Sequence, residues 1–141
     1  MITVRKYKEI CDQIVESIEI DGHVIASTEE QGMKKLQDKG GIRLVAVYPS
    51  YHLSGETDSY KDLHEILFFI VTRQFEGSDD ETELQQYIDS QDALIRLKEY
   101  LFGEDNEYCK LFPNIDMGSV LIDPEYNIFG GYIGWSMKFV C

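Results

Sequence analysis

Val4, Tyr7, Ile10, Cys11, Ile14, Val15 and Ile18 recur every three or four residues, the spacing of one helix face, and Thr3 stands where an N-cap belongs. A first helix is therefore expected to run to about Glu19, with Asp21 and Gly22 as its punctuation. A short segment around His23 to Ala26 follows. Ser27 and Glu30 then have the spacing of a capping box for a second, weaker helix through Met33 and Leu36. Gly32 weakens that helix by up to about 1 kcal/mol relative to Ala, and Gly40 with Gly41 stops it.

From Ile42 the period changes to two. Ile42, Leu44, Ala46 and Tyr48 alternate with Val45 and Val47, so both faces are apolar, which predicts a strand covered on both sides or one at a subunit contact. Pro49 ends it, and the polar stretch Ser50 to Ser59 reads as a loop or the splayed tip of a hairpin. A long strand over Tyr60 to Phe75, apolar on both faces from Ile66 to Val71, is the expected central strand. Ser78 to Asp80 open the main helix, with Leu84, Tyr87, Ile88, Leu94, Ile95, Leu101 and Phe102 as its predicted packing face and Gly103 as its stop. After an acidic turn, Asp116 to Ile122 predicts a strand, Asp123 to Asn127 a turn, and Ile128 to Cys141 a returning strand bulged at Gly130 and Gly131. In that last strand Ile133, Trp135, Met137, Phe139 and Cys141 share one face, opposite Tyr132, Gly134, Ser136 and Lys138.

The expected fold is thus a single α+β domain over residues 1–141. Residues 1–41 form a helical N-terminal part, and residues 42–141 a mostly antiparallel ββαββ unit with one long helix packed on it. Its 141 residues, 43% hydrophobic and 12% aromatic, suit one sizeable core. The longest apolar run, Ile66 to Val71, is far below the roughly 20 residues that cross a bilayer. Glu9 and Asp12 interrupt any signal-like h-region, so no membrane association and a cytoplasmic location are expected.

Charge sharpens this picture. Of the net −13, residues 76–107 contribute −9, through eleven carboxylates set against Arg96 and Lys98. Such a field repels phosphates, which argues against nucleic-acid binding along this surface. Asp79, Asp80, Glu81 and Glu83 are ordinary helix-start chemistry, since the helix dipole favours negative charge there. They also qualify as residues that would line a lumen past which nucleic acid slides, or that would meet a basic partner.

Catalytic chemistry finds little footing. His23, His52 and His64 are too scattered for a local zinc pattern, and no metal site or cofactor is expected. His64 and Glu65 are adjacent and point to opposite faces of a strand. No GxSxG elbow, Walker loop or GxGxxG turn occurs, and Gly130-Gly131-Tyr132-Ile133-Gly134 leads into a strand. Cys11, Cys109 and Cys141 fit neither a disulfide framework nor a CxxC knuckle, and are read as reduced thiols. A non-catalytic protein is expected, although an enzyme whose site residues are dispersed along the chain stays open on these residues.

Leu44-Val45-Ala46-Val47-Tyr48-Pro49, the polar stretch Gly55-Glu56-Thr57-Asp58-Ser59, the strand Leu63 to Phe75 and the acidic-start helix together resemble the tail terminator proteins of long-tailed bacteriophages. The ending Asn127 to Phe139 is similar to their closing strand. The resemblance rests on element order over residues 42–141, and residues 20–41 depart from it. It implies a structural subunit of a phage or prophage tail that assembles into a homo-oligomeric ring, usually a hexamer, joining tail tube to head connector. Tyr51, His52, Glu56 and Asp58 would then serve subunit or tube contacts, and Asp79, Asp80, Glu81 and Glu83 a pore. The alternative is a small binding module in which Tyr48, Tyr51, Tyr60, Tyr126, Tyr132 and Trp135 line a groove for a protein or small molecule.

Overall fold

A computed structural model describes residues 1–103 and 111–141. The elements are α1 (Val4–Ile18), β1 (Gly22–Ala26), α2 (Glu29–Leu36), β2 (Ile42–Val47), β3 (Ser50–Glu56), β4 (Ser59–Arg73), α3 (Asp80–Phe102), β5 (Asp116–Ile128) and β6 (Tyr132–Val140). They form an α+β fold around one sheet of order β1-β2-β4-β6-β5, with β3 also paired to β4. All pairings are antiparallel except β1 with β2. The acidic turn expected after Gly103, with Glu104, Asp105 and Glu107, and Cys109 fall largely outside the described residues.

β4 is the central strand because both of its faces are apolar. Ile66, Phe68 and Ile70 enter a large core with α1 and α3, while Val71 and Phe69 belong to a smaller one with Leu36, Phe129 and Tyr132 on the opposite face. β2 divides in the same way, Leu44 and Ala46 one way and Val45 the other. Its two-sided pattern is therefore satisfied within the chain. Thr3 caps α1 by accepting the Lys6 N–H at 3.1 Å, and the apolar stripe Tyr7, Ile10, Cys11, Ile14 and Ile18 is buried against the sheet.

Gly22–Ala26, inside the part expected to be helical, is strand β1 of the sheet, paired parallel with β2, so residues 1–41 are not a separate helical part; the sequence pattern and the fold part company at four further places. α2 is capped by Thr28, which accepts from Gln31, and not by the Ser27/Glu30 box; Gln31 Oε1 in turn takes the Ser27 N–H at 2.7 Å. Of the two readings of Ser50 to Ser59, the loop is wrong and the hairpin holds in longer form: Ser50 to Glu56 is strand β3, in register with β4 from Ser50↔Glu65 to Glu56↔Ser59, with Thr57 and Asp58 as the tip. β5 continues through Asp123 to Asn127, because an edge strand tolerates Pro124, with a shift of its register against β6 between Glu125 and Ile128, and the chain reverses at Phe129 to Gly131 instead. Asn127, Phe129, Gly130 and Gly131 all have positive φ there.

The fourth difference is in α3. Its buried face is Gln86, Ser90, Ala93, Leu94, Leu97 and Leu101, so Leu84, Ile88 and Ile95 turn outward. Small and polar residues take the inner positions because the helix lies close to the sheet and to α1. Gln86 Nε2 donates to the Arg73 carbonyl at 2.7 Å, and Ser90 Oγ donates back to the Gln86 carbonyl at 2.8 Å, which satisfies both donors without solvent.

Gly32 acquires a reason from packing. A Cβ there would lie 2.8 Å from the Phe129 ring, which also stands edge-on to Phe69 at a centroid distance of 5.1 Å. Phe129 is a bulky residue at φ 50°, a strained conformation held by this packing and by donation of its N–H to Glu29 Oε1 at 3.2 Å. Gly32→Ala is therefore expected to lower stability by about 1–2 kcal/mol, although Ala gains helix propensity. Urea denaturation reads this directly, and a raised midpoint would show that Phe129 yields without cost.

Candidate assembly surface

β4 pairs with β6 only as far as Glu65, with His64 bonded to the Cys141 backbone at 2.7 and 2.9 Å. Beyond that point, among the described residues, Ser59 to Leu63 has β3 as its sole strand partner, and the two form an arm reaching on the order of 17 Å past the sheet. Every residue of β3 is exposed, as are Ser59 to Asp62. The arm arises where the register shifts by one residue between Ala46↔Phe68 and Ser50↔Glu65, a bulge at Tyr48–Pro49 that splits one long strand into β2 and β3.

Strand alternation sets Tyr51 opposite His64, Leu53 opposite Asp62 and Tyr60 opposite Gly55, all on the side of the sheet that carries Ile66 and Phe68. Tyr51, Leu53 and Tyr60 are 49%, 57% and 59% exposed, an apolar ladder beside which the Met1 ammonium donates to Asp62 Oδ2 at 2.8 Å. At the base of the arm, the Ile2 N–H donates to His64 Nε2 at 3.1 Å, and the Tyr51 ring lies 6.2 Å from that imidazole. His52 alternates to the opposite side, Glu56 ends β3, and Asp58 sits in the two-residue turn.

The acidic candidates stand elsewhere. Asp79 is the N-cap of α3, accepting the Thr82 N–H at 2.8 Å, and the hydrogen bonds from Thr82 hold its carboxyl below the usual carboxylate range. Glu83 accepts from Gln74 Nε2 at 2.7 Å, while Asp80 and Glu81 are exposed in the first turn. α3 begins beside the Arg73 end of β4, and the arm leaves at the Ser59 end. About 45 Å of strand separates them. The eight candidate residues thus form two sites, Tyr51, His52, Glu56 and Asp58 at one end, and Asp79, Asp80, Glu81 and Glu83 at the other.

The aromatic groove does not form. Trp135 packs with the large core and donates Nε1–H to the Tyr87 carbonyl at 3.1 Å, whereas Tyr132 lies on the other face with its hydroxyl on the Leu36 and Lys39 carbonyls at 2.7 and 2.9 Å. A cleft of about 290 Å³ opens instead beside the start of α2, floored by Val45, Val47, Leu67 and Phe69 and walled by Ile128 and Phe129. Short α2 covers only part of this sheet face, which leaves Val47, Leu67 and Phe69 half-buried while Val45 is closed off. Sequence periodicity marked these residues as apolar and had no means of showing that a helix stops short of them.

The histidines do not converge. His23 Nε2 contacts Asp12 Oδ1 at 2.7 Å, far in sequence from the two in or beside the arm. Lys8, and after it His23, hold the Asp12 carboxyl below its ordinary value. Among the described residues no three His, Cys, Asp or Glu side chains are grouped to hold a metal, and no helix is long and apolar enough to cross a membrane. Burial pushes the Cys11 thiol up to about 12 and that of Cys141 to about 11. Neither has the depressed pKa of a reactive nucleophile.

The chain matches no protein-family model, no curated protein and no solved structure.

The Asp79 cap carries a pH signature. Its folded carboxyl is held below the unfolded value of about 4, so its stabilisation is present above that pH and is lost as pH falls through the folded value. Asp79→Asn keeps an N-capping acceptor without the ionisation. Its melting temperature is expected to fall less steeply on acidification than that of the parent, and parallel acid limbs in thermal scans would contradict this.

Proposed function

We propose that this protein is a non-catalytic, self-assembling structural subunit that forms a ring, in the manner of the phage tail terminators its strand and helix order resembles. The observation carrying this reading is the arm. An isolated two-stranded hairpin is marginal in water. This one nevertheless carries three large apolar side chains on one face, where their exposure is unfavourable unless a partner covers them. The partly open cleft over Val47, Leu67 and Phe69 lies on the opposite face of the same sheet. A knob and a hole on opposite faces favour a head-to-tail contact between copies, the type that closes into a ring.

In such a ring the acidic start of α3 supplies a surface that repels nucleic acid, so that DNA passes without adhering. Tail-tube or head-connector proteins would be the further partners, and the host cytoplasm and the virion tail its locations. A binding module remains the second reading, favoured by the same cleft taken as a seat for a small apolar ligand.

Sedimentation and light scattering across a protein and salt series separate the two. A species larger than the monomer is expected, growing with salt as repulsion among subunits of charge −13 is screened. Leu53→Ser with Tyr60→Ser is expected to return it to monomer while changing unfolding stability by less than about 0.5 kcal/mol, since both side chains are exposed. A monomer at every concentration and salt, with no ring by electron microscopy in the presence of tail tubes, would overturn the assembly reading.

A further inference from the structure

The outward face of α3 is unusual for a solvated helix. Leu84, Ile88 and Ile95 are 61%, 42% and 45% exposed, although the sequence periodicity would bury them. They are four and seven residues apart, so they fall within about 40° of one another and make one stripe spanning roughly 16 Å of helix, with exposed Gln91 set between Ile88 and Ile95. Exposed Glu81 and Asp92 lie about 60–80° round from Leu84 and run along one flank. Asp80 and Lys98 stand on the other flank, at the two ends of the stripe. Over Asp80–Phe102 six carboxylates oppose Arg96 and Lys98, and Arg96 Nε is already committed to the Ile18 carbonyl at 2.9 Å.

We infer that this stripe is a docking site for a cationic amphipathic helix of a different protein, with aliphatic side chains seated on Leu84, Ile88 and Ile95 and Lys or Arg beside Glu81 and Asp92. Two features choose this occupant. The anchors repeat at one-turn and two-turn intervals, which a partner helix matches with its own i, i+4, i+11 side chains. The acidic flank adds attraction for a basic partner and disfavours the alternatives. A second copy laid symmetrically on this face would set carboxylate against carboxylate. Anionic lipid and nucleic acid are repelled by the same field. The stripe is separate from the arm and the cleft but shares Asp80 and Glu81 with the acidic start of α3, so a helix docked here would cover part of the surface that the ring reading leaves open to nucleic acid.

The test uses the full chain and a synthetic peptide of Leu and Lys arranged in helical heptads, beside a peptide of the same composition with the heptads scrambled. Fluorescence anisotropy is expected to show the heptad peptide binding at least about tenfold more tightly than the scrambled one. Leu84→Ser, Ile88→Ser and Ile95→Ser together are expected to abolish that preference without lowering the melting temperature. Glu81→Gln with Asp92→Asn is expected to keep the preference and flatten its salt dependence. Equal binding of both peptides would reduce the surface to non-specific charge adhesion and overturn the proposal. So would a triple-serine variant that binds as the parent does, or one that instead dissociates a self-assembled form, which would make the stripe a contact between copies.

Discussion

The fold depends on enclosing Phe68 from every side. Its ring centroid lies 6.3 Å from Tyr7 of α1, 6.0 Å from Phe112 and 6.2 Å from Phe139 of β6, and it is fully buried. Tyr7 also donates its hydroxyl to the Val47 carbonyl at 2.6 Å, which ties α1 to the end of β2 where the chain bends into the arm. One aromatic cluster therefore joins a helix, the central strand, its neighbour and the segment that returns after α3. Burial of aromatic surface is large enough to order such parts together, since truncating a Phe in a core of this kind costs about 3–5 kcal/mol.

That clustering also explains what is left over. The large core draws α1 and α3 to one face of the sheet, and among the described residues the opposite face is covered by short α2 and the Phe129 turn. At the other end β3 and the first part of β4 run on beyond the helices, touched among the described residues by the N-terminal Met1 and Ile2. The arm, the cleft and the outer stripe of α3 are three apolar surfaces that one chain of this length does not enclose. On the readings proposed above, two of them would meet copies of one another and the third a basic partner, and the distribution of charge is what separates them.

Much of the architecture was readable in the residues. The three- and four-residue spacing in α1, the two-sided apolar run of β4 and the alternation of β6 each reflect a single element meeting a core, and local period reports that directly. The candidate surfaces were legible only in part. Tyr51, His52, Glu56 and Asp58 were singled out as a polar stretch, but of the apolar members that give the arm its character Leu53 was not a candidate and Tyr60 was one only for a groove. Asp79 was marked as a potential cap and is one. Leu84, Ile88 and Ile95 were misassigned to the core because their spacing fits a buried stripe as well as an exposed one.

By itself, the amino-acid order determined that the protein is α+β, where α1 and α3 begin, and that its negative charge gathers around the long helix. Those properties follow from capping, periodicity and composition, which act over a few residues. Only the tertiary structure decided which stripe of α3 faces inward, that β5 passes through Pro124 as an edge strand, that Gly32 makes room for Phe129, and that the arm and the acidic helix start occupy opposite ends of β4. Each of these depends on what another part of the chain brings alongside. Contacts between residues distant in sequence leave no local period to read.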